Sequence, residues 1–145
     1  MEKEIIKVRK TGKNEIAEIL EFVPEDWNAP IRDFFRVNFR ADYFYPAVAK
    51  IKSEVIGFGM NVINDNAAWL GFIGVKEKPR NKGAGKMITN HLVEYSKTRG
   101  VDSIILIATD MGLRVYEKIG FEHDLDYLFF RSDNPLEIDF RCWDY

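Results

Sequence analysis

The spacing of hydrophobic residues changes repeatedly along this 145-residue chain, and each change marks a boundary between predicted elements. Short β-rich runs predict strands, at 4–9, 47–53, 55–63, 68–75, 103–108, 127–131 and 136–141. Apolar residues at helical spacing predict helices after Asn14, after Asn28, from the glycine loop near Gly83 to Arg99, and over 111–119. This order of elements predicts an α/β (α+β) fold, in which helices cover the faces of a mixed sheet.

Proline and glycine mark several of the predicted boundaries. Pro24 ends the first helix, and Asn28-Ala29-Pro30 restart the next one by placing a capping side chain and a proline in its first turn. Gly71 and Gly74 interrupt the apolar strand 68–75. Glycine inside a strand marks a bulge or a close approach by another backbone or a ligand. This strand is therefore an early candidate for a binding segment.

Composition narrows the class of protein. A hydrophobic fraction of 46% and a charged fraction of 30% predict one globular domain over residues 1–145. No stretch approaches the ~20 apolar residues of a membrane span, and a net charge of -2 argues against a nucleic-acid partner. Met-Glu-Lys-Glu is not the start of a signal peptide, and a single cysteine, Cys142, cannot form an internal disulfide. These features favour a cytoplasmic location, and we expect no metal.

The segment Arg80-Asn81-Lys82-Gly83-Ala84-Gly85 has the chemistry of a phosphate site. It lies between a strand that ends at Val75 and an amphipathic helix, where free backbone N–H groups and the helix dipole can bind an anion. Arg80, Lys82 and Lys86 can add charge-assisted hydrogen bonds to phosphate oxygens. Since an isolated glycine turn with surface lysines has the same composition, the flanking residues decide between the two interpretations.

Both nucleotide fingerprints fail at this loop. A nucleoside-triphosphatase loop requires glycine where this chain has Arg80, and serine or threonine where it has Met87. The dinucleotide fingerprint requires a third glycine where this chain has Ile88. The loop therefore predicts a phosphate ligand of another kind.

Two ordered motifs resemble the GNAT superfamily of N-acetyltransferases. Val75, followed five residues later by Arg80-x-x-Gly83-x-Gly85, is similar to the acyl-CoA loop of that family, and the 115–121 segment Val-Tyr-Glu-Lys-Ile-Gly-Phe is similar to its later helix. Together they span about 69–121. The resemblance implies a mostly antiparallel twisted sheet of about six or seven strands, with helices on both faces and two strands splayed apart at the acyl-CoA site.

The resemblance also implies which residues bind the cosubstrate. They are Ile73, Gly74, Val75, Arg80, Asn81, Lys82, Gly83, Ala84, Gly85, Lys86, Thr109, Gly112 and Tyr116. The chain departs from the family pattern at three places. Glu77 stands where a proline is common, Thr109 replaces an asparagine that contacts the cofactor, and Gly112 stands at the usual alanine position. A threonine hydroxyl makes fewer hydrogen bonds than an amide.

The implied activity is acetyl-CoA-dependent N-acetylation of a primary amine by direct transfer in a ternary complex. Tyr116 resembles the general acid that protonates the departing CoA thiolate. The candidates for the base are Asp110, His123, Asp126 and a water relay, because strand 68–75 contains no carboxylate or histidine. A less basic amine needs less help from a base, which favours an α-amine or a small metabolite amine as acceptor.

Several alternatives stay open. The chain could be a noncatalytic acyl-CoA-binding sensor or interaction module, or it could bind a different phosphorylated ligand through the loop alone. The acceptor is a small-molecule or peptide amine, and the sequence is compatible with a homodimer. Cys142 is not expected to act as an acyl-enzyme nucleophile, because no base is predicted beside it.

Overall fold

A computed structural model describes residues 5–78 and 83–128. The strands are β1 Ile6–Lys10, β2 Phe44–Ile51, β3 Glu54–Asn64, β4 Ala67–Val75 and β5 Ser103–Leu106. A short 3-10 turn, Lys13–Glu15, leads into α1 Ile16–Leu20, and the other helices are α2 Glu25–Asn38, α3 Ala84–Thr98 and α4 Asp110–Glu117. None of the helices in these two ranges is long and apolar enough to cross a membrane.

The five strands form one sheet in chain order, β1-β2-β3-β4-β5. The first four pair antiparallel, and β5 pairs parallel to β4 after the α3 crossover. The predicted mixed, mostly antiparallel sheet is confirmed, with five strands in the described ranges rather than six or seven. The predicted strand 136–141 lies outside those ranges, as does most of 127–131. Tyr127 and Leu128 are described and are not in a strand.

Strand alternation divides the core between two faces of the sheet. Val48 of β2 packs with α1 and α2, where Ile19 and Phe35 are buried. The neighbouring Ala47 and Ala49 pack on the other face, where α3 supplies the buried Ile88 and Leu92. The same buried cluster contains Ile51, Ile56, Ala68, Leu70 and Ala84. Period-2 alternation with both faces apolar therefore places helices on both faces of the sheet, as predicted.

The predicted start of the second helix at Asn28 is wrong. Helix α2 begins at Glu25, with Pro24 as its N-cap residue, and Pro30 lies inside it. Pro30 has no N–H to donate to the preceding turn, which costs one helical hydrogen bond near the start of the helix. Burial of Ile31 and Phe35 against the sheet compensates for that loss. The ends of β5 and α4 also differ from the prediction, by two residues each.

A buried carboxylate ties β1 to β2. Glu15 receives hydrogen bonds from Arg9 Nη1 and Nη2 at 2.9 and 2.6 Å, from Lys50 Nζ at 2.8 Å and from the Gly12 N–H at 2.8 Å. The Arg9 guanidinium, followed by Lys50 and Gly12, lowers the pKa of Glu15 to about 2 against the opposing effect of burial. The side chain of Glu15 is only 5% exposed, so these contacts stabilise the ionised form inside the fold.

Candidate active site

Strand β4 contains a bulge. Phe58 pairs with Gly74 and Met60 pairs with Gly71, so β4 has one more residue than β3 between these pairs. Phe72 takes the extra place with φ +51°, a left-handed conformation that is uncommon for a bulky residue. The sequence interpretation of the two glycines as bulge markers is confirmed, although the strained conformation falls on the residue between them.

Aromatic contacts hold Phe72 in this conformation. Its ring lies edge-on to Trp27, Phe34 and Trp69, with centroid distances of 5.3, 6.0 and 6.1 Å. The Trp69 ring itself lies across Gly71, where a β-carbon would collide with it. The bulge is therefore fixed from the α2 side of the sheet.

Pairing between the parallel strands β4 and β5 ends just before the bulge. Register pairs run from Ala67–Ser103 to Leu70–Leu106 and then stop, while β4 continues to Val75. The Lys76 N–H donates to Ile56 of β3, and N–H groups of successive strand residues point to opposite sides. The N–H of Val75 is therefore directed away from β3, into the gap. The splay that the resemblance implied is confirmed.

Helix α3 begins at the mouth of this gap. Gly83 is its N-cap residue, with φ +79° and no capping side chain. The first backbone acceptor of the helix is Gly83, whose carbonyl receives the Met87 N–H at 2.9 Å. The N–H groups of Ala84, Gly85 and Lys86 precede that bond and have no helical acceptor. No acidic residue lies in the first turn, so the end of the helix retains its affinity for an anion.

The other predicted phosphate contacts, Arg80, Asn81 and Lys82, lie outside the described residues. Gly85 packs near the end of β4, since a β-carbon at that position would lie 3.6 Å from Val75 Cγ2. The start of α3 and the Ile73–Val75 end of β4 are thus adjacent.

Helix α4, which follows β5, contains Tyr116. Thr109 is the N-cap residue, and its Oγ1 accepts the Gly112 N–H at 3.3 Å. The predicted cofactor contact at Thr109 therefore falls on a hydroxyl that already caps a helix. The ring of Tyr116 lies over Gly112, one turn earlier, and meets Phe121 edge-on at 6.2 Å. Burial raises the pKa of Tyr116, which keeps the phenol protonated at neutral pH.

The three candidate bases lie around the same cavity as Tyr116. This cavity has a volume of about 860 Å³, and Asp110, His123 and Asp126 are among its lining residues. His123 Nε2 and Asp126 Oδ1 are 2.9 Å apart, and both side chains are mostly exposed. Sequence reasoning missed Trp69, which lines the cavity from β4. Alternation along 68–75 and 103–108 was the available signal, because it places Trp69 on the face opposite Ala68 and Leu70.

The described residues contain no group of three or more histidine, cysteine, aspartate or glutamate side chains that could hold a metal ion. What they do contain is a pair of parallel strands whose pairing ends beside an uncapped helix N-terminus, and a half-buried phenol in the cavity next to β5. These features define an acyltransferase class of fold. The chain belongs to the acetyltransferase (GNAT) family, whose family model matches residues 13–121.

Solved structures share the fold at low sequence identity. The aminoglycoside N-acetyltransferase AAC(6')-Iy, in complex with the bisubstrate analogue CoA-S-monomethyl-acetylneamine, matches with a TM-score of 0.73 at 15% identity, over 88% of this chain and 98% of that one. Glucosamine-6-phosphate N-acetyltransferase from Arabidopsis thaliana matches at 0.71 and 20% identity, over 90% and 100%. A predicted acetyltransferase from Clostridium acetobutylicum, solved with acetyl-CoA, matches at 0.72 and 17%, over 88% and 96%.

Proposed function

We propose that this chain is an acetyl-CoA-dependent N-acetyltransferase that transfers the acetyl group directly to a primary amine in a ternary complex. The observation that carries the proposal is that β4 continues past its last pairing with β5, with the N-terminus of α3 packed near the Val75 end of β4. Family membership supports acetyl transfer. Two of the structural neighbours are named as N-acetyltransferases of amines, an aminoglycoside and glucosamine-6-phosphate.

The cosubstrate fits the gap by its chemistry. The amides of Ala84, Gly85 and Lys86 would bind the pyrophosphate, together with Arg80, Asn81 and Lys82. The pantetheine arm would lie along Ile73, Gly74 and Val75, whose edge has no strand partner on the β5 side in the described ranges. The Val75 N–H would then donate to the thioester oxygen. A preorganised donor of this kind contributes about 3 kcal/mol when the oxygen gains charge in the transition state.

The amine attacks the thioester carbonyl, and the C–S bond breaks as the new C–N bond forms. Tyr116 donates its phenolic proton to the departing thiolate. This direction of transfer is favourable during bond cleavage, because the phenol is protonated at neutral pH and the thiolate of CoA is a good proton acceptor. The proton lost by the amine passes to water or to one of Asp110, His123 and Asp126, which line the same cavity.

Replacement of Tyr116 by phenylalanine tests the role of the phenol. We expect kcat to fall by roughly 100-fold or more, in the range typical of general acid catalysis, while the Kd for acetyl-CoA stays unchanged. CoA release with a mixture of amines measures turnover, and a thermal shift with acetyl-CoA measures binding. Phe121→Leu is the matched control, because it removes the edge-on ring contact and leaves the hydroxyl in place.

The outcomes separate the proposal from its alternatives. An unchanged kcat in Tyr116→Phe makes this tyrosine a packing residue. Stabilisation by acetyl-CoA without CoA release for any amine favours a noncatalytic acyl-CoA sensor. Failure of both acetyl-CoA and CoA to raise the Tm refutes the acetyltransferase and the sensor together.

A further inference from the structure

One wall of the cavity that contains Tyr116 is apolar and lies on the α2 side of the sheet. Trp69 of β4 and Ile105 of β5 are register partners in the parallel pair, so their side chains are neighbours on one face. Ile107 lies two residues beyond Ile105 and lines the same cavity. Ile105 is 56% exposed and Ile107 is 51% exposed, which is high for isoleucines at the end of a strand next to the partly buried Trp69.

The cavity also carries acidic side chains. Among the described residues, the lining includes five carboxylates and no lysine or arginine: Asp110, Glu117, Glu122, Asp124 and Asp126. The other ionisable side chains of the described lining are His123, Tyr116 and Tyr127, and His123 pairs with Asp126. These carboxylates attract a cationic ammonium and repel a carboxylate or a phosphate.

We propose that the acceptor is an amine that carries an apolar body and no anionic group, with the body packed on Trp69, Ile105 and Ile107. This inference rests on the proposed acetyltransferase function and specifies the substrate class of its site. The ammonium group of the acceptor is attracted to the five carboxylates, which form the acidic rim of the cavity, and it loses its proton before attack. The apolar wall favours acceptors whose body is apolar. The expected acceptors therefore differ from aminoglycosides and sugar phosphates, which are polyhydroxylated or anionic.

Four primary amines distinguish the two features of the cavity. Phenylalaninamide has an apolar body and no carboxylate, phenylalanine adds the carboxylate, glycinamide lacks the body, and glucosamine-6-phosphate is polar and anionic. We expect kcat/KM for phenylalaninamide to exceed that of each of the others by roughly 10-fold or more, since a single methylene group in an apolar pocket is worth that much discrimination. Equal kcat/KM values for phenylalaninamide and glycinamide overturn the inference and leave the proposed function intact.

Ile105→Thr tests the apolar wall directly, because threonine retains the β-branch and removes apolar surface. We expect KM for phenylalaninamide to rise several-fold, with the KM for acetyl-CoA and for glycinamide unchanged. Ile5→Thr is the matched control. Ile5 is 70% exposed and precedes β1, at the opposite edge of the sheet. Asp124→Asn tests the acidic rim and should improve kcat/KM for phenylalanine relative to phenylalaninamide.

The rival occupant of the cavity is the chain itself, through residues 129–145. If those residues cover Ile105, the Ile105→Thr variant of the 145-residue chain loses several degrees of Tm and keeps its KM for phenylalaninamide, which overturns the inference. If acetyl-CoA binds but no amine releases CoA, the proposed function fails separately. In that case, the inference is decided by whether phenylalaninamide raises the Tm of the CoA complex more than glycinamide does.

Discussion

Replacement of Gly112 by alanine tests whether the position of the Tyr116 ring matters for turnover. The added β-carbon would lie 2.8 Å from Tyr116 Cε2 and 3.4 Å from both Cζ and Oη. Ordinary contacts begin near 3.4 Å, so the ring must retreat by about 0.6 Å. The hydroxyl moves with the ring, while the backbone of α4 keeps its helical conformation.

The expected effect on catalysis follows from that displacement. A misplacement of about 1 Å in an active site can cost roughly 100-fold, so a shift of this size should lower kcat by roughly 10-fold. Stability should change little, because alanine favours a helix over glycine by ~0.5–1 kcal/mol and the ring contact opposes that gain.

A double-mutant cycle with Tyr116→Phe separates the hydroxyl from the packing of the helix. When the hydroxyl is absent, Gly112→Ala has no proton donor to displace, and its effect on kcat should largely disappear. Steady-state CoA release for the four proteins gives the coupling energy, and urea unfolding checks that each is folded. Equal losses of kcat in both backgrounds would refute the reasoning, since the effect would then come from the packing of α4.

Two further predictions concern the framework of the site. Glu15→Gln should lower the free energy of unfolding at pH 7 by roughly 3 kcal/mol, because it removes an ionised group whose pKa is about 2 instead of 4.5. A lowered folded-state pKa stabilises the protein fully above the unfolded value and loses that effect as the pH falls from about 4.5 towards 2. Urea unfolding between pH 7 and pH 2 should show that the free energy of unfolding depends less on pH in Glu15→Gln than in the unsubstituted chain. The same pH dependence in both proteins would contradict the stabilising role of the Glu15 carboxylate. Gly83→Ala should cost roughly 1–2 kcal/mol, because Gly83 has φ +79° and no contact to relieve the strain. Gly85→Ala is the control, since its β-carbon would make an ordinary 3.6 Å contact and alanine favours the helix. Equal stability of the two variants would argue against strain at Gly83.

Local patterns in the sequence predicted the fold where they coincide with burial. The alternation in β2 and β3, the apolar run of β4 and the helical spacing of α3 all agree with the structure to within a few residues. Their hydrophobic periods correspond to the faces that the sheet buries, so pattern and packing require the same conformation. At Pro30 the two conflict. Proline chemistry predicts a helix start, while burial of Ile31 and Phe35 stabilises a helix that already began at Glu25.

The sequence by itself determined the chemical inventory of the candidate site. Glycines at the start of a helix, a following tyrosine motif and the order of strands and helices are all local or sequential properties, and they were sufficient to indicate the family that the comparisons establish. These properties do not specify the distances between residues that are far apart in the chain, however.

Only the tertiary structure decided which residues meet. Strands β4 and β5 stop pairing after Leu70, and each pair joins residues that are 36 positions apart in the chain. The positive φ of Phe72 depends on three rings from other parts of the fold. Ile105 lies next to Trp69 because β4 and β5 pair in a parallel register. Each is a nonlocal contact, whose free energy comes from packing between segments and leaves no periodic signal within either one.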